Sequence, residues 1–149
     1  MKVLKITRLL SAILTVCLTG ILLCPCAAAQ SQPGKVVSAA LSQVGYTERS
    51  DEFTQFGQWF GISKGYWCDM FVSWCADQAG VPREIFPPSA SCTAHVRLFT
   101  KKGQYVRSAA RGGNALPQQG DLIFFYDPIC DPDGRRLTHV GLVLYTENG

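Results

Sequence analysis

The 149-residue chain is poor in charge: Asp, Glu, Lys and Arg make up 17% of it, and its two histidines are His95 and His139. No stripe of basic residues with interleaved aromatics runs through it, so nothing in the sequence points to nucleic acid as a partner. The formal net charge of +3 does not change this. Three of the 14 basic residues, Lys2, Lys5 and Arg8, fall in the first 29 positions, where there is no acid, and the remainder carries eleven residues of each sign. Cys68, Cys75, Cys92 and Cys130, the cysteines beyond that segment, lack the short pairwise spacing of a structural zinc site. Asp131 and Asp133 before Gly134 resemble the opening of a calcium loop, but the acidic residue that would close it is missing, which favours an ordinary tight turn.

What is present begins with a secretory pattern. The chain runs from basic MKVLKITR through the apolar stretch Leu9 to Leu23 and reaches Cys24-Pro25-Cys26-Ala27-Ala28-Ala29 before turning polar. That order predicts a signal peptide over residues 1–29, cleaved after Ala29, and one domain over residues 30–149. A retained membrane anchor is the alternative. Lipid attachment at Cys24 or Cys26 is disfavoured because Leu23 and Pro25 precede them. After cleavage no stable membrane insertion is expected. Export permits disulfides, and four cysteines allow three full pairings. If Cys68 stays free, Cys92 to Cys130 is the pair to test, with two free thiols as the alternative.

The most informative stretch is WCDMFVSWCADQAG, Trp67 to Gly80. Phe71, Val72, Cys75, Ala76 and Ala79 fall on one helical face, Asp69 sits in the first turn, and Gly80 followed by Pro82 is a stop signal. Cys68 is thereby placed at or next to the first helical position, where the dipole and unpaired N–H groups favour a thiolate. Cys75, about two turns on, reads as a small core residue. From this stretch alone Cys68 is equally readable as a nucleophile and as a buried structural cysteine.

Elsewhere the pattern predicts a helix from Pro33 to about Val44, with Val36, Val37, Ala40, Leu41 and Val44 on its apolar face. A short helix near Phe53 to Phe60 follows, its aromatics reading as packing, whereas Trp67 adjoins the candidate nucleophile and is a candidate substrate contact. Serines before Cys92 are candidate caps for a helix from Cys92 to Lys101, with Ala94, Val96, Leu98 and Phe99 partly inward. His95, on that helix, reads as a surface or packing residue. A short strand is expected at Gln104 to Arg107. GDLIFFYDP reads as a buried strand, and THVGLVLY as another, with Val140, Leu142 and Leu144 on one face and His139, Gly141 and Val143 on the other. A thiol at a helix terminus and a histidine at the start of a later strand are the two parts of a nucleophile and general-base pair, which must meet in space rather than in sequence.

Taken together, Gln43-Val44-Gly45-Tyr46-Thr47-Glu48, Phe56-Gly57 with Trp59, the block from Trp67-Cys68 to Ala79-Gly80, Gly120-Asp121-Leu122-Ile123-Phe124-Phe125 and His139-Val140-Gly141 resemble the CHAP domains, cysteine- and histidine-dependent amidohydrolases and peptidases. The likeness runs from about residue 34 to the end. It implies an α+β, papain-like fold with N-terminal helices on an antiparallel sheet, Cys68 as nucleophile and His139 as base. It also implies peptidoglycan as substrate, cut either as an N-acetylmuramoyl-L-alanine amidase or as a peptide endopeptidase, with no metal or cofactor required, and a location outside the cell at the wall. The family's third polar residue lies on a strand after the histidine strand, so the expectation is that this strand and that residue lie beyond Gly149. A non-catalytic wall-binding domain of the same fold is the alternative, and an acyl transferase using the same thioester is a third.

Overall fold

The computed structural model describes residues 30–126 and 136–147. Helix α1 spans Gln32–Leu41, α2 Gln55–Phe60, α3 Cys68–Gln78 and α4 Cys92–Lys101, followed by a 3-10 turn at Ala109–Arg111 and strands β1, Leu122–Phe125, and β2, His139–Leu142. Among the described residues the protein is therefore α+β, four helices with a two-stranded antiparallel sheet. The register pairs Leu122 with Leu142 and Phe125 with His139. Past the strands, Gly120 N–H donates to Val143 O at 2.8 Å and Val143 N–H to Asp121 O at 2.9 Å, which prolongs the ladder.

Helix ends follow local chemistry. Ser31, Thr54 and Ser91 cap α1, α2 and α4 through side-chain oxygens that accept from Gly34, Gly57 and Ala94 N–H. At the end of α3, Gly80 at φ 69° lets its own N–H reach Asp77 O and the Val81 N–H reach Ala76 O, a Schellman closure that glycine adopts without steric cost. Helix α1 ends earlier than its apolar pattern suggested. Val36 and Val37 are buried as expected, but the chain turns after Leu41 and carries Val44 out to 81% exposure. The expected strand at 104–107 is absent, and an isolated bridge from Ser108 to Ala115 stands beyond it.

Two apolar assemblies hold these elements. Phe56, fully buried on α2, is the hub of the first, with ring centroids 4.9 Å from Tyr46, 5.4 Å from Trp67, 4.9 Å from Phe71 and 5.3 Å from Trp74. The second joins α3, α4 and β2 through Val72, Cys92 and Val140, with Leu122, Phe124 and Leu142 packed against them. Both strands are narrower and less buried than expected, since Phe125 and Leu144 are 46% and 38% exposed. No helix among the described residues is long and apolar enough to cross a membrane.

Candidate active site

Cys68 is the first residue of α3, and Trp67 before it makes no side-chain cap. The positive end of the helix dipole is therefore directed at the thiol. Cys92 is likewise the first residue of α4, so two helix N-termini converge and bring the two sulfurs to 3.8 Å. The convergence is fixed by polar ties on both sides. Ser73 on α3 donates through its hydroxyl to Ser89 O at 3.2 Å and accepts from Ser89 N–H at 3.0 Å, docking the segment that leads into α4. Thr93 on α4 accepts from Leu137 N–H at 3.1 Å, and Thr138 N–H donates to Phe125 O at 3.0 Å, which sets the start of β2 and hence His139.

The pairing polarises the two thiols in opposite senses. Cys68 falls from 9.0 to about 6, chiefly because the Cys92 thiol donates to its thiolate; burial opposes this, and His139, the Val140 N–H and the charge of His139 assist. Cys92 is pushed up, first by holding the proton of that same bond, then by burial and by the negative charges of Cys68 and Asp69. The proton of the pair belongs on Cys92 and the negative charge on Cys68. Cys75 contrasts with both: it is fully buried and pushed up to about 12 by that burial, in keeping with a core residue.

His139 is exposed at the head of β2, its ring stacked on Phe125 with centroids 6.0 Å apart. Cys68, Cys92 and His139 face one cavity of about 550 Å³, walled also by Tyr66, Phe125 and Arg136. This is within the range of small-molecule sites. A second hollow, beside Ser73 and Asp77, has only about 10 Å³, room for a single water at most. The structure thus brings together the two residues singled out for catalysis. Among the described residues, no cluster of three or more His, Cys, Asp or Glu is placed to hold a metal ion.

Trp67, the candidate substrate contact, is not brought to the cavity with Cys68 and His139. It is half-buried, stacked on Phe56 at 27°, and its indole N–H donates to Glu48 Oε2 at 2.9 Å. The described cavity wall does not include it. Its predecessor Tyr66, 94% exposed, stands at the cavity instead, because Gly65 at φ 115° turns the chain and sends successive side chains to different sides.

Of the two readings of His95, surface or packing, the structure selects packing. His95 is fully buried on α4, with Nδ1 2.6 Å from Oδ1 of Asp69, itself 1% exposed. The imidazole lies over Phe99 at 4.4 Å and meets Phe86 at 5.2 Å. The signal for it was positional: Cys92, His95 and Phe99 fall at i, i+3 and i+7, one face of a helix. The inward face therefore uses these residues, and Ala94 is exposed. As for the Cys92 to Cys130 pairing, Cys92 is a free thiol directed at Cys68, and Cys130, like Asp131 and Asp133, lies outside the described residues.

Searches against protein-family models, curated proteins and solved structures found no match. The site's chemistry therefore rests on its own geometry: a thiol whose anion is favoured near neutral pH, an imidazole sharing its cavity, and the free N–H groups of a helix terminus beside both.

Proposed function

We propose that this chain is a secreted cysteine amidohydrolase or peptidase of the papain-like CHAP type, acting on an amide bond of peptidoglycan at the cell wall. The observation that carries the reading is the Cys68 thiolate at the start of α3, sharing one cavity with His139 at the start of β2. The thiolate attacks the amide carbonyl carbon, and the Cys68 backbone N–H, unpaired at the helix terminus, donates to the oxygen as it becomes negative. His139 as imidazolium protonates the departing amine, leaving a thioester on Cys68. Neutral His139 then takes a proton from water as it attacks that thioester. The acyl product leaves with its new oxygen, and the thiolate returns. Each step uses only groups of this chain and water.

The test is release of new amino groups from purified peptidoglycan, with the products separated to tell cleavage next to the glycan from cleavage within the peptide. Cys68→Ala should lower the rate at least about 10³-fold and His139→Ala by a comparable factor, since the two act as a unit. Amine release unchanged by Cys68→Ala would overturn the assignment.

A further inference from the structure

The two sulfurs on the cavity wall can do more than favour the Cys68 thiolate. We infer that Cys68 and Cys92 are a peroxide-reactive dithiol, which closes to a reversible disulfide and so switches the site off. The geometry sets the roles. Cys68 is half-buried at a cavity of about 550 Å³ and meets an incoming reagent, whereas Cys92, 6% exposed and 3.8 Å behind it, is placed to capture what forms there. A disulfide needs the sulfurs at about 2.05 Å, so closure requires an approach of somewhat under 2 Å, within reach of side-chain rotation about two fixed helix ends.

The steps balance with a hydroperoxide as the oxidant. The Cys68 thiolate attacks one peroxide oxygen and the O–O bond breaks; an S–O bond forms, and the departing hydroxide takes up the proton that the thiol had shed. The Cys92 sulfur then attacks the sulfenic sulfur, the S–O bond breaks, and hydroxide leaves as water with the Cys92 proton. Two thiols lose two electrons, and hydrogen peroxide becomes two waters. The second step is favoured by the first. Cys92 is held protonated first by its bond to the Cys68 thiolate, then by burial and by the charge of that thiolate; burial remains, but the bond to a thiolate and its charge are lost once Cys68 carries a neutral sulfenic acid.

Cys75 is an internal control, because it is enclosed in the core about two turns from Cys68. The chemical claim stands without the hydrolytic reading; only the loss of activity rests on it. The chain is treated with a small molar excess of hydrogen peroxide, quenched with catalase, alkylated and digested with trypsin. The expected product is peptide 65–83 joined to peptide 84–97, lighter by two hydrogens. Fragmentation should place the bond on Cys68 rather than Cys75, and dithiothreitol should restore both thiols. Cys92→Ser should instead accumulate sulfinic acid on Cys68 that dithiothreitol does not reverse. Should peroxide link Cys68 to Cys130, or over-oxidise Cys68 in the unaltered chain at the rate seen in Cys92→Ser, the inference is wrong. A linkage that forms in a chain without amine release would leave this inference standing and count against the proposed function. Amine release that peroxide stops without any linkage would do the reverse.

Discussion

Asp69→Ala, at the buried back wall of the cavity, is the most informative single change to the packing that supports the two sulfurs. The Asp69 to His95 bond is 2.6 Å long between side chains 1% and 0% exposed, and Asp69 Oδ2 and His95 Nε2 have no other hydrogen-bond partner among the described residues. Removing the carboxylate leaves His95 with neither ring nitrogen paired, enclosed by Phe86, Phe99 and Phe124. Breaking a buried pair from one side costs about 3–5 kcal/mol, against a total of roughly 5–15 kcal/mol for a domain. For a domain of this size that is a fall of roughly 2 M in the urea midpoint, read from tryptophan fluorescence. Much of the single-variant loss is the isolation of the surviving partner, so Asp69→Leu combined with His95→Phe should regain most of it, the new ring joining the existing aromatics. A single-variant loss below about 1 kcal/mol, or a double variant no more stable than the single, would refute this account of the pair.

Three further outcomes follow from the same geometry. Cys92→Ala removes the main cause of the low Cys68 value, so the midpoint of Cys68 alkylation should rise from near pH 6 to about pH 7 or above. In the unaltered chain the thiolate predominates above that midpoint and is lost as pH falls through it; iodoacetamide rates resolved by mass for each cysteine decide the matter, and an unmoved midpoint would assign the effect to the helix terminus and His139. Gly57→Ala should cost about 1–3 kcal/mol in urea unfolding, because a Cβ there would collide with the backbone oxygen of Ile62. Trp67→Ala should destabilise by about 2–3 kcal/mol through the stack on Phe56, whereas Tyr66→Ala should leave stability within about 0.5 kcal/mol and, if the site acts as proposed, raise KM for peptidoglycan. Equal effects of the two on stability would contradict the packing described.

Local chemistry was legible where it acts locally. The serine before Cys92 and the glycines past Gln78 and Lys101 act within the reach of a single turn, so α4 begins, and α3 and α4 end, where these residues predict; α3 begins at Cys68 without a side-chain cap. Cys75 read as core because its neighbours on the helix face are apolar. Val44 misled for the same reason: apolar spacing continued past the point where the backbone had turned. The Cys68–Cys92 and Asp69–His95 contacts join residues 24 and 26 positions apart. They depend on how two helices cross, which periodicity within either helix does not encode. The position of His95 on the stripe of Cys92 and Phe99 was a sign that it packs inward, but not that Asp69 would be its partner.

The packing around the cavity follows a consistent rule. Each of three residues on the cavity wall has a close neighbour along the chain that is locked in the interior: Cys68 precedes Asp69 at 1% exposure, Cys92 lies one helical turn before His95 at 0%, and His139 precedes Val140 at 3%. Two of these anchors bind each other, and the third packs on Val72 and Cys92. Cys68 and His139 therefore face open volume while the backbone that carries them is fixed from behind. This is how a site holds sub-ångström geometry without burying its reagents. It also explains why the polar pair is placed where it is. An apolar contact at Asp69 and His95 would hold α3 to α4 but tolerate sliding, whereas a 2.6 Å hydrogen bond fixes register. Register between these helices is what sets the distance between the two sulfurs. The buried pair therefore contributes to position more than to net stability, and position is what the proposed chemistry at Cys68 and His139 would require.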